Sequence, residues 1–253
     1  MEHRFPSDGN LLTGQLCEPP SRADTSRVPA VVLAHGYPTG LSSAAIASTA
    51  LPELADRIAS EMGWIALAPQ LRGCGGSEGS FSLRGWLDDL LAAVAHLEAD
   101  ERVTGVWLAG FGTSGALAIC AAAEHPTIRG VAALGSPADF DDWASHPRRL
   151  LEHAREVGMV EDPLFPPSFD AWSRELRDLR AVAAAPSLAP RPLLVVHGSD
   201  DDLVPAFDAR VLVDAHGAAE LRMVNGAGHR LRHDPRAVAV LLGWLDRQRN
   251  RRR

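Results

Sequence analysis

Serine, histidine and aspartate, the residue types that nucleophilic and general acid–base catalysis use, gather here in short glycine-punctuated segments. Five segments stand out: His35-Gly36-Tyr37-Pro38, Arg72-Gly73-Cys74-Gly75-Gly76-Ser77-Glu78-Gly79, Gly110-Phe111-Gly112-Thr113-Ser114-Gly115, His197-Gly198-Ser199-Asp200-Asp201-Asp202-Leu203-Val204-Pro205 and Gly226-Ala227-Gly228-His229. Each follows a short apolar run. In a doubly wound sheet ligands sit at the carboxyl ends of the strands, so these are the segments where chemistry belongs. An imidazole oriented by a carboxylate acts there as a general base on water or on an acidic C–H. The second segment is no phosphate cradle, because it lacks the Lys-Ser/Thr ending of a P-loop. Cys17, Cys74 and Cys120 lie far apart without CxxC spacing and read as free thiols. Cys74, within the second segment, is the thiol nearest the expected pocket, with only Arg72 beside it to lower its pKa.

The elements that must position these residues alternate along the chain. Apolar runs at Ala30–Ala34, Ile65–Ala68, Val106–Ala109, Val131–Leu134, Leu193–Val196 and Leu221–Val224 have the texture of strands buried on both faces. Helical periodicity falls between them, at Leu51–Met62, Leu83–Leu97, Gly115–Glu124, Ala206–Ala215 and Pro235–Gln248. The alternation predicts a mostly parallel twisted sheet with helices on both faces. Arg4–Pro19 reads as a hairpin turning at Ser7-Asp8-Gly9-Asn10, followed by a polar link from Pro20 to Pro29. Residues 136–190 break the rhythm. They hold Trp143, Phe165, Phe169 and Trp172 and two expected helices, Arg148–Val157 and Ser168–Ala184, which predicts a small helical cap.

Composition narrows the class. The chain has 253 residues, with 25 basic against 32 acidic and a net charge of −7, a poor footing for a nucleic-acid partner. All 25 basic residues are arginine. The closing Arg247, Arg249, Arg251, Arg252 and Arg253 read as a solvated helix end. No stretch approaches the ~18–20 apolar residues of a membrane span, and the first ten residues have no signal-peptide core. The expected setting is cytoplasmic, with a small-molecule substrate or ligand and neither a nucleic-acid nor a membrane partner. Oligomeric state is not legible. No metal, nucleotide or flavin cofactor is implied.

With these five segments in order, each at a strand end, the chain resembles an α/β-hydrolase over nearly its whole length. The resemblance implies an α/β-hydrolase fold and a triad in the chain order nucleophile, acid, histidine. It assigns the acid to Asp201 in HG-x-x-D-x-x-VP and the base to His229 in G-x-GH, with Asp200, Asp202 and Asp139 as weaker acid candidates. It implies oxyanion donors at the backbone N–H of Tyr37 and Thr113. Substrate contacts are expected from His35, Gly36 and Trp143, although His35 in this fold also braces its loop. His197 reads as a structural strand-end residue, and His216 and His233 carry no assigned role.

The departure is at the centre of the pattern. Laid on VWLAGFGTSGALA, the family's G-x-S-x-G turn begins at Gly110 and puts the nucleophile position on Gly112. A glycine α-hydrogen cannot replace an alkoxide, so the acyl-enzyme route is closed there. Glycine also fits the positive φ of such a turn, so Gly112→Ser should lower the melting temperature slightly. An alternative register, Gly112-Thr113-Ser114-Gly115-Ala116, makes Ser114 the nucleophile and needs Gly110 and Phe111 inside the strand. Gly-Phe-Gly-Thr is poor strand material, which favours the first register. Two readings follow: a hydrolase acting on a small ester, lactone, thioester or related carbonyl, and a non-catalytic relative that binds a ligand or partner. An engineered Ser-to-Gly replacement would leave the same sequence.

Overall fold

The computed structural model describes residues 2–20, 27–38 and 44–250. Residues 21–26 of the expected link and the terminal Arg251, Arg252 and Arg253 lie outside the described residues. Eight strands form one sheet in the order β1-β2-β4-β3-β5-β6-β7-β8. The hairpin β1 (Glu2–Ser7) and β2 (Asn10–Cys17) turns at Asp8-Gly9 and adds antiparallel to β4 (Ile65–Pro69). From β4 onward the pairing is parallel, through β3 (Val28–Ala34), β5 (Val103–Phe111), β6 (Val131–Leu134), β7 (Leu193–Gly198) and β8 (Glu220–Val224). This is the α/β-hydrolase fold.

Strand alternation distributes the core. Ala30, Val32 and Ala34 of β3 face one apolar layer, and Val31 and Leu33 face the other. The first layer takes α2 (Leu83–Glu98) and α3 (Thr113–Glu124); the second takes α1 (Leu51–Met62) and α9 (Pro235–Asn250). Ser82 caps α2 by accepting from the Gly85 N–H, and Gly63 closes α1 in a left-handed conformation.

Two regions differ from expectation. β5 runs on to Phe111, because Gly110 and Phe111 pair with Ala34 and Leu134 of its neighbours and this pairing overrides their poor strand preference. Between β6 and β7 lie α4 (Asp141–Ser145), α5 (Pro147–Glu156), α6 (Phe169–Asp178) and α7 (Ala181–Leu188). The expected helix Ser168–Ala184 is thus two helices, with an extended break at Leu179 and Arg180. At the break the Arg180 guanidinium bonds to the Asp139 and Asp141 carboxylates, and the Val182 N–H donates to the Ala138 carbonyl. These contacts pull the chain out of one continuous helix. α7 then packs against α3 and α8 (Ala206–His216).

Candidate active site

Four strand ends, those of β3, β5, β7 and β8, supply the candidate site. After β7, Asp201 sits in a turn whose own backbone holds its carboxylate. The Leu203 and Val204 N–H groups donate to Oδ1 at 3.0 and 2.9 Å. His229, after β8, donates from Nδ1 to Oδ2 at 3.0 Å and lies 3.2 Å from Oδ1. The Asp201 side chain is fully buried, and that of His229 is 19% exposed. Burial works to raise the Asp201 pKa. The His229 hydrogen bond, the two backbone N–H groups and the electrostatic pull of His229 oppose it and leave the pKa below the ordinary carboxylate value. The carboxylate is an acceptor only, so the His229 proton sits on Nδ1 and Nε2 keeps a free lone pair.

Gly112 is the turn between β5 and α3, with φ 55° and ψ −125°. That backbone is costly for any residue with a Cβ, on the order of 1–3 kcal/mol. A Cβ built on Gly112 would meet His229 Nε2 at 3.4 Å and Gly36 Cα at 3.7 Å. The turn is tight: a Cβ on Gly110 would stand 2.4 Å from the Ser114 carbonyl carbon, so only glycine fits there. The Ser114 side chain goes elsewhere. It is fully buried, and its Oγ donates to the His35 carbonyl at 2.6 Å. A cavity of about 20 Å³ opens at Gly112, lined among others by Gly36, Tyr37, Phe111, His229 and Arg232. Its volume matches one water molecule. A second, open groove of about 620 Å³ lies beside His229, lined by Leu203, Gly228, Arg230 and His233.

The oxyanion candidates lie on the two loops that meet at Gly112. Tyr37 lines the cavity, and Thr113 opens α3. Neither backbone N–H has an acceptor among the described residues. The Tyr37 ring is wedged among Phe81 and Trp143, at 5.0 Å from each, and its hydroxyl pairs with His153 Nδ1 of α5 at 3.0 Å. Burial raises the Tyr37 pKa, and the Cys74 and Glu156 charges add to this.

The other sequence candidates divide. Gly36 lines the cavity. His35, expected to touch substrate, is fully buried: Nε2 accepts from the Leu71 N–H and Nδ1 donates to the Gly36 carbonyl, so it braces the loop. Burial lowers its pKa to about 4, opposed by the Gly36 bond and helped by the Arg232 charge. Trp143 stands behind Tyr37 and stacks on Phe140 at 5.4 Å without lining the cavity. Its large ring finds more apolar partners in that cluster than at the cavity wall. Trp172 is buried with Nε1 donating to the Phe81 carbonyl, and Phe169 packs on it at 5.9 Å. Asp139 is committed to Arg180, Asp200 to the Ser199 hydroxyl, and Asp202 is exposed. His197 Nε2 donates to the Val204 carbonyl and so anchors the turn that carries Asp201. Cys74 is buried, its thiol pushed up to about 12 by burial and the Asp89 charge. Sequence reasoning passed over Arg230 and Arg232. Their only signal was position, one and three residues beyond His229 on a strand-end loop.

The model of the Alpha/beta hydrolase family matches residues 31–241, and the chain belongs to that family. It is 25% identical to the 2-hydroxymuconate semialdehyde hydrolase of Pseudomonas sp. (strain CF600), across 85% of this chain and 86% of that protein. Among solved structures it is similar to the alpha/beta hydrolase GrgF from Penicillium sp. sh18, with TM-score 0.74, 18% identity and 98% of each chain covered. It is also similar to the Pyrococcus furiosus esterase Pf2001, with TM-score 0.69, 19% identity, and 98% of this chain and 91% of that one covered.

Proposed function

We propose that this chain hydrolyses a small ester, lactone, thioester or related carbonyl substrate by direct attack of water, with Gly112 standing at the family's nucleophile position. The carrying observation is the lone pair of His229 Nε2 beside a water-sized cavity, where a side chain on Gly112 would otherwise stand. The reaction balances without a covalent intermediate. His229 Nε2 takes a proton from water as the water oxygen adds to the carbonyl carbon. The resulting oxyanion accepts hydrogen bonds from the Tyr37 and Thr113 N–H groups, next to the positive end of α3. On collapse, Nε2–H returns its proton to the departing oxygen or sulfur. Asp201 stays ionised throughout and holds the imidazole in the required tautomer. The helices between β6 and β7 act as a cap in this reading. The likeness to a semialdehyde hydrolase supports hydrolytic chemistry on a small carbonyl compound.

Gly112 itself favours a second reading, a binding protein that keeps the pocket without turnover. A panel of short-chain nitrophenyl esters and lactones separates the two. On the proposed reading the unaltered chain turns over part of the panel, and His229→Ala lowers the rate about 10²–10⁴-fold. Unchanged turnover in His229→Ala would sink the mechanism. Activity confined to Gly112→Ser would assign the chain to binding.

A further inference from the structure

Four arginines among the described residues are buried or half-buried: Arg72, Arg180, Arg191 and Arg232. Three are spoken for. Arg72 bonds to Asp89 through Nε and a terminal nitrogen, Arg180 to Asp139 and Asp141, and Arg191 to the carbonyls of Ala122, His125, Ile128 and Ser187. Arg232 has no carboxylate or carbonyl partner among the described residues, and its buried Nε has no hydrogen bond. Arg232 lines the cavity at Gly112 and His229, and Arg230 joins it there. Among the described residues, no acidic side chain lines that cavity. Burial and the charge of the exposed Arg230 both lower the Arg232 pKa, as expected for a half-buried cation beside a second one.

Withdrawing a guanidinium from water without a partner costs free energy that an arriving anion can return. The planar fork of donors suits a carboxylate, which it can grip through two parallel bonds. We infer that the substrate lies in the open groove beside His229, outside the water-sized cavity, and carries a carboxylate close to its reacting carbonyl that Arg232 receives, with Arg230, which lines both cavity and groove, adding to the attraction. The inference rests on the hydrolytic reading for the word substrate, but the binding site itself does not. On a chain of net charge −7, two cations at the cavity also draw anions past the general repulsion.

The test uses succinamate and succinamide, which have nearly the same shape, differ by one carboxylate, and present no ester to cleave. Calorimetric titration of the whole chain should show succinamate binding about tenfold more tightly than succinamide. Arg232→Gln should abolish the preference, while Arg232→Lys, which keeps the charge and loses the fork, should retain part of it. Melting temperatures of both variants, close to that of the unaltered chain, establish that the fold is intact. Equal affinity for the two compounds, no saturable binding of either, or a preference that survives Arg232→Gln would overturn the inference. Hydrolysis of the ester panel is measured separately. Charge-selective binding without turnover removes only the hydrolytic reading, and turnover without charge selectivity removes only the role of Arg232.

Discussion

One wall of the cavity is His229, and behind it the Asp201 carboxylate accepts two backbone N–H groups and the imidazole N–H, while His197 anchors the turn that carries Asp201. The opposite wall at Gly112 offers a bare Cα and a space the size of a water molecule. One side is held in place by converging hydrogen bonds, and the other contributes only shape. The contrast teaches where the remaining chemistry lies. A strong, correctly oriented base needs buried polar support, whereas a water nucleophile needs room and a nearby lone pair.

The sharpest way to break this contrast is to spoil the finished wall. Asp201→Asn keeps the size of the side chain but turns an amide N–H toward His229 Nδ1, which moves the imidazole proton to Nε2 and removes the base. Turnover should fall on the order of 10³–10⁴-fold with little change in KM, read from steady-state kinetics on the most reactive ester of the panel. A loss below tenfold would mean that the carboxylate only clasps two loops.

Filling the empty wall comes next. Gly112→Ser should add a hydroxyl within reach of His229 Nε2, so that a fluorophosphonate probe labels the variant. The same change should destabilise the fold by about 1–2 kcal/mol in denaturant titration, because serine must adopt the positive φ. A more stable variant would contradict the assignment of Gly112 to the turn.

The contrast between the two histidines gives a smaller effect. His35, with both nitrogens committed, has its pKa lowered from 6.5 to about 4 in the folded chain. The unfolded chain therefore binds this proton more readily, and stability falls as pH drops through 6.5 toward 4. The loss reaches about 3 kcal/mol at the lower end. In His35→Asn that part of the slope between pH 7 and 4 should vanish, although the variant is weaker at every pH. An unchanged slope would place the acid sensitivity in other groups.

The order of strands and helices was legible because burial on both faces leaves unbroken apolar runs, and each run from Ala30–Ala34 to Leu221–Val224 lies within an observed strand. The two-residue extension of β5 was not. Gly110 and Phe111 become strand only through partners on β3 and β6, which local preference does not carry. The break at Leu179 and Arg180 has the same origin, since Asp139 and Asp141 lie some forty residues away in sequence. In the site, the family motifs brought forward Asp201, His229 and Gly112; the fold sets Gly112 and His229 on one cavity and Asp201 behind His229. Depth was illegible: nothing in the HG pair says that His35 is sealed beneath its loop while Gly36 lines the cavity. Nor does a sequence say which arginine lacks a partner, because Arg72 and Arg232 differ only in what the rest of the chain brings to them.

In the proposed mechanism water attacks the substrate directly and no acyl group passes to the protein. Rapid acid quench of the unaltered chain during turnover of a nitrophenyl ester, followed by intact mass spectrometry, tests it most directly. The expected result is an unmodified mass throughout the unaltered chain's reaction and an acylated species only in Gly112→Ser. An acyl group trapped on Ser114 of the unaltered chain would contradict it.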